Sequence, residues 1–154
     1  MPTDLNTAQD ALRHVLVALG DRFEHAVSGA PEAFDDFDVG HDTRRPIEIV
    51  RHLRGNLRFA AALWGDTDPE ALEPEAWDDE LAAFRVELRE LDALLRALPT
   101  PTGPTPTAKI LQGPLLDALT HVGQLLTLRR LAGAPVPPRR YARVDMAELD
   151  APPS

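Results

Sequence analysis

Between Trp77 and Leu98 the large apolar residues Trp77, Leu81, Phe84, Leu88, Leu91, Leu95 and Leu98 recur in alternating steps of four and three. Side chains at that spacing share one face of a helix, so the segment predicts an amphipathic α-helix. Ala8, Leu12, Val15, Leu19, Phe23 and Ala26 repeat the pattern more loosely. On a helical wheel Ile49, Val50, Leu53, Leu57, Phe59, Ala60, Ala61, Leu63 and Trp64 form a wide apolar arc, with Arg51, Arg54 and Arg58 on the opposite, solvent-facing side. A fourth segment has two faces. Leu115, Leu119, Val122 and Leu126 make one, while Ala118, Leu125 and Leu128 lie on a stripe with Asp117, His121 and Gln124. A helix apolar on two sides is either central in its domain or shared with a second copy of the chain. The alternation that marks strands is absent, and there is no internal repeat.

Proline marks the same boundaries. The 15 prolines among 154 residues are roughly double the average usage, yet none falls within 3–30, 47–68, 75–98 or 115–134. A proline inside a helix costs about 3 kcal/mol, so four long proline-free windows predict four helices. Gly29, Gly65 and Gly133 stand where left-handed C-caps are wanted, and Pro46 and Pro114 are placed to open two of the helices. The expected fold is all-α, a four-helix bundle over residues 1–136, followed by an extended tail over 137–154. The stretch 99–107, PTPTGPTPT, predicts an extended linker, and the loop 28–46 is long enough to cross the bundle end.

Composition narrows the chemistry. With no cysteine there is no disulfide, thiolate zinc site or cysteine nucleophile. The 16 Lys and Arg against 25 Asp and Glu, a net charge of −9, argue against a broad grip on nucleic acid or anionic lipid. The opening MPTDLNTAQD lacks a basic region followed by an apolar core, and no apolar run approaches the ~20 residues of a bilayer span. The expectation is a cytoplasmic protein with no nucleic-acid or membrane partner.

Two polar residues break the second pattern. His52 and Asn56 fall inside its apolar arc, one turn apart. A buried polar group left without a partner costs about 1–3 kcal/mol, so something polar must face them. The fourth segment supplies Asp117 and His121, whose i, i+4 spacing aims two side chains from one side of a helix. If the second and fourth helices are neighbours, His52, Asp117 and His121 converge. Two imidazoles and a carboxylate can hold a divalent ion with positions left open, the ligand count of a catalytic rather than a structural site. The same residues also admit a plainer reading, in which Asp117 orients His121 by a hydrogen bond and His52 is a satisfied core residue. Pro114, three residues before Asp117, predicts that the carboxylate sits close to a helix N-terminus, which favours its ionised form.

The segments GPLLDALTHVGQLLTLRRLAGAPV (113–136) and IVRHL (49–53) resemble the last and second helices of the DinB/YfiT-like superfamily, which is distinct from the DNA polymerase of similar name. The resemblance implies three metal ligands, one in the second helix and an H-x-x-x-H pair in the last. His52 matches the first, His121 ahead of Gly123 and Gln124 matches the last, and Asp117 stands in the middle place, where the family usually has histidine. A carboxylate there is harder than imidazole, and the expected ion is zinc, manganese, iron or nickel. The superfamily includes thiol-dependent S-transferases and a mycothiol-dependent isomerase. The implied function is therefore metal-assisted activation of a low-molecular-weight thiol, with Asn56 and Gln124 orienting the site. Homodimerisation through the fourth helix is a further expectation. The alternative is a non-catalytic, stress-associated bundle acting as a dimeric binding or interaction module.

The remaining candidates have ordinary explanations. His14 and His25 border the apolar face of the first helix, and His41 lies in the loop DVGHDTRR. The run from Asp66 to Asp92, 11 acidic residues against two Arg, predicts a solvated helix face. Arg129, Arg130, Arg139, Arg140 and Arg143 are expected to pair with that acidic surface.

Overall fold

The computed structural model describes residues 5–145, and within them the chain is helical, with no strand. Helix α1 spans Ala8–Val27, α2 Pro46–Gly65 and α3 Trp77–Ala97. A short α4, Thr107–Ile110, runs through a π-helical segment, Leu111–Leu115, into α5, Leu116–Leu131. Among the described residues no helix is long and apolar enough to cross a membrane.

Local chemistry sets most of these ends. Thr7 and Asp10 form a reciprocal capping box on α1: the Asp10 N–H donates to Thr7 Oγ1 at 3.0 Å and the Thr7 N–H to Asp10 Oδ2 at 3.1 Å. Pro46 opens α2 as expected, its missing N–H being one that a helix start leaves unpaired anyway. Gly29 and Gly133 take positive φ after their helices, but α2 ends on Asp66 at φ 53° and not on Gly65.

Pro114 does not open a helix. The last rod begins at Thr107, inside the expected linker, and bends at Gly113 (φ −85°, ψ −105°) with Pro114 inside it. Pro114 removes one N–H and crowds the carbonyl four residues back; the adjacent glycine absorbs the distortion as a kink and the helix continues. The rest of the linker is tied down as well. Thr102 donates to the Trp64 carbonyl from its N–H at 2.9 Å and from Oγ1 at 3.2 Å, and Trp64 Nε1 donates to Leu98 O at 3.0 Å.

Packing and ion pairs define the topology. α2 packs on α3 and α5, and α1 on the same two, so α1 and α2 lie on one diagonal. Arg13 pairs with Asp92 and Glu24 with Arg85, making α1 and α3 antiparallel. Arg51 pairs with Glu80 and Arg58 with Glu87, making α2 and α3 parallel. Arg129 of α5 reaches the carbonyls of Ala26, Ser28 and Gly29 at the end of α1, making these two parallel. The order is up, down, down, up.

This order explains both long connections. Residues 28–45 cross the upper end diagonally, anchored by buried Phe34, whose ring meets Trp77 edge-on at 6.2 Å. Residues 66–76 return along α2 from its lower to its upper end, where Arg58 Nη1 donates to Ala71 O and Arg54 Nη1 meets Glu75. A 20-residue helix is about 30 Å long, so that strap must be nearly extended. Inside, Phe23 stacks on Phe84 with centroids 3.8 Å apart, among the buried leucines of all four long helices.

The charged faces depart from expectation. Arg54 is 2% exposed and Glu80 0%, and Arg51, Arg54 and Arg58 face α3 instead of solvent. Glu80, Glu87 and Asp92 of the acidic run are likewise buried in ion pairs. The carboxylates on α3 stand opposite arginines on α2, so charge on both helices turns inward where a wheel drawn for either alone turns it out.

Among the described residues the expected pairing of the later arginines with that run is not found either. Arg129 is buried against the carbonyls of α1's end and of Ala134, Arg139 pairs with Asp21 at 3.1 Å, and Arg22 lies 4.2 Å over the Tyr141 ring. Residues 137–141 thus lie along α1, and one 3₁₀ turn follows at Tyr141–Arg143. The rest of the expected tail, 146–154, lies outside the described residues.

Candidate metal centre

The site sits where α2 meets the lower half of α5, just past the kink. His52 and Asn56 occupy successive turns of α2, and Asp117 and His121 successive turns of α5. Because the two helices are neighbours, the polar residues of one meet those of the other. His52 Nε2 lies 2.8 Å from Asp117 Oδ2, and Asn56 Nδ2 donates to the same oxygen at 2.7 Å. His121 Nδ1 is 3.3 Å from that oxygen and 2.8 Å from the Asp117 backbone carbonyl. The imidazole centroids stand 4.3 Å apart. One ligand atom each from His52, Asp117 and His121 lies within 4.8 Å of the others, and among the described residues no other group of three donors meets this spacing.

Hydrogen bonding assigns the His121 tautomer. A backbone carbonyl only accepts, so Nδ1 carries the proton and Nε2 the lone pair. This is the arrangement that orients metal-binding imidazoles, with one ring nitrogen anchored and the other presented. Burial pushes the Asp117 carboxyl up, but the hydrogen bonds from Asn56 and His52 help to outweigh it, and the net is below the ordinary carboxylate range. The expected helix N-terminus is not a cause, because Leu115 and Leu116 continue the rod before Asp117.

The donor set suits a divalent ion. An imidazole nitrogen from each histidine and a carboxylate oxygen match zinc, manganese, iron or nickel, and the three atoms lie within 4.8 Å of one another. His121 is 11% exposed at its side chain, His52 31% and Asp117 43%, so one side of the group opens to solvent and leaves coordination positions for a ligand.

Other expected residues stand elsewhere. Gln124 is exposed and, among the described residues, bonds to none of the three; α5's outward turn carries it past the α2 contact. His41 is exposed on its loop. His25 Nε2 meets Pro137 O at 2.8 Å, and His14 is half-buried with Nδ1 unpartnered. Arg44 is the residue the pattern did not reveal: its Nη1 lies 3.0 Å from His121 Nε2. It belongs to the loop ahead of α2, where no helical period reports on position. A separate groove of about 890 Å³, bordered by Leu57, Arg58, Ala61, Leu91 and Leu94, lies on the opposite flank of α2 and does not include the three donors.

Comparison with family models, with curated proteins and with solved structures finds no match to this chain.

Proposed function

We propose that the chain is a divalent-metal-binding bundle of the DinB/YfiT-like kind that activates a low-molecular-weight thiol for transfer to an electrophile. The observation that carries this reading is the convergence of His52, Asp117 and His121 from two antiparallel helices. The fixed tautomer of His121, the exposed side of the cluster and the placement of the three residues that carry the family resemblance all support it. A divalent ion held there lowers the pKa of a bound thiol, so that a thiolate exists near neutral pH.

The chain's own groups have separable tasks. Asn56 holds Asp117 Oδ2 toward α2, the Asp117 carbonyl holds the Nδ1 proton of His121, and His121 Nε2 and His52 supply neutral donors. No cysteine is needed, since the nucleophile arrives with the cosubstrate.

A second reading is favoured by Arg44. A cluster already closed by its guanidinium is a satisfied polar core, which suits a metal-free, non-catalytic bundle that acts by binding, as a dimer through α5, where Leu116 and Leu131 stay exposed. A panel of electrophiles offered with glutathione, bacillithiol or mycothiol to metal-loaded protein separates the two. Thiol-dependent turnover that is lost in His121→Ala supports the metal-dependent enzyme; turnover that persists in that variant overturns the role of the metal site, and turnover absent with every thiol leaves the binding module. Light scattering at micromolar concentration tests the dimer, which a monomer's mass contradicts.

A further inference from the structure

Arg44 meets an imidazole where a carboxylate would be the ordinary partner. Among the described residues it makes no ion pair, and its hydrogen bond goes to His121. The loop carboxylates Asp36 and Asp38 pair with Arg45 instead. The guanidinium of Arg44 directs one N–H at the lone pair of His121 Nε2 from 3.0 Å, and its other donors have no partner among the described residues. It is exposed, on a loop where Gly40, His41 and Asp42 take positive φ in succession.

The guanidinium and an ion compete for one place. An ion bound to Nε2 sits about 2.1 Å along its lone pair, which is about 1 Å from where Nη1 now stands, so Arg44 must withdraw when the ion enters. Its charge remains tethered beside the open coordination positions. A planar fork of N–H donors is the group best shaped to take a carboxylate or similar oxyanion by two parallel hydrogen bonds.

We propose that Arg44 is the anion-recognising residue of this site: it covers His121 Nε2 when no ion is present, and beside a bound ion it receives the carboxylate of a ligand whose other end occupies an open position. The ligand class is a small thiol that also carries a carboxylate. The inference rests on the metal-binding reading and adds to it the side of the ligand that the protein grips.

The test uses the full chain, cobalt(II) as a spectroscopic ion, and two probes that differ only in their far end, 3-mercaptopropionate and 3-mercaptopropanol. Arg44→Ala is expected to bind cobalt about tenfold more tightly than the parent, the weight of one hydrogen bond no longer in competition. The parent loaded with cobalt is expected to prefer the carboxylate probe by roughly tenfold or more, the worth of a charge-assisted contact. Arg44→Ala loses that preference, and Arg44→Lys, which keeps the charge without the fork, retains part of it. Cobalt bound equally by parent and Arg44→Ala, with the same preference between probes, overturns the role of Arg44 and leaves the metal site standing. Cobalt bound by Arg44→Ala alone supports the competition directly. Cobalt bound by neither overturns the metal reading and this one with it. Far-ultraviolet circular dichroism shows that each variant keeps its helices.

Discussion

Arg54 is the cation on which the α2–α3 interface turns, and replacing it with methionine isolates its electrostatic role at nearly constant length. Its Nη1 donates to Glu80 Oε2 at 2.6 Å and to Glu75 Oε2 at 3.1 Å, and its Nη2 to Glu87 Oε1 at 3.0 Å. Arg54→Met leaves Glu80 Oε2 without that donor in a side chain that is 0% exposed. Removing one partner of a buried ion pair typically costs about 3–5 kcal/mol. Glu80 Oε1 keeps Arg51 at 2.7 Å and the Glu75 N–H at 3.0 Å, and Glu87 keeps Arg58 at 2.8 Å, which places the loss at the low end. For a chain of this length about 3 kcal/mol lowers Tm by roughly 6–12 °C.

The same variant has a pH signature. Burial pushes the Glu80 carboxyl up, but hydrogen bonds from Arg54, the Glu75 backbone and Arg51 outweigh it and hold it below the ordinary range. A carboxyl depressed in the folded state stabilises it above the unfolded pKa of about 4.3 and ceases to do so as pH falls through the folded value. In Arg54→Met the burial contribution gains, Glu80 takes up its proton at a higher pH, and the buried charge that causes the loss disappears. The difference in Tm from the parent therefore narrows between pH 7 and about pH 4. Thermal melts by far-ultraviolet circular dichroism at the two pH values measure this, and Arg54→Met with Glu80→Gln restores part of the stability at pH 7. A single variant melting within about 2 °C of the parent, or a gap that stays constant with pH, would mean that Glu80 does not depend on Arg54 for its charge.

Arg129→Met removes the donors to Ala26, Ser28, Gly29 and Ala134 carbonyls and is expected to cost about 2–3 kcal/mol; since no carboxylate among the described residues pairs with it, the loss measured by the same melts does not change between pH 7 and about pH 4. Thr7→Ala breaks the α1 capping box and lowers stability by about 1 kcal/mol in urea titrations, with an unchanged m-value. Asn56→Ala leaves the helices intact but removes one of the two α2 partners of Asp117 Oδ2, and is expected to weaken metal affinity by about 10–100-fold in calorimetric titration.

Much of this architecture is legible in the sequence, and the departures from it have physical causes. The step of four and three from Trp77 to Leu98 corresponds to α3, and the proline-free windows to four long helices, because burial and the missing proline N–H act locally. His52 and Asn56 within an apolar arc required a polar partner, and Asp117 meets both. What escaped were features that depend on a neighbour. Arg54 looks like a solvent residue until α3 presents Glu80 and Glu87 to it. Pro114 looks like a helix start until Gly113 is seen to take the bend that lets the rod continue from Thr107. Arg44 reaches His121 from a loop, across a diagonal crossing that no periodic pattern encodes.

If His52, Asp117 and His121 hold one divalent ion, it is found by elemental analysis. Protein purified without a chelating tag, analysed for zinc, manganese, iron and nickel and then titrated with each, is expected to carry about one equivalent of a single ion per chain, lost in His121→Ala while the helical content survives. Less than about a tenth of an equivalent of any of them, with none taken up on titration of the parent or of Arg44→Ala, would contradict it.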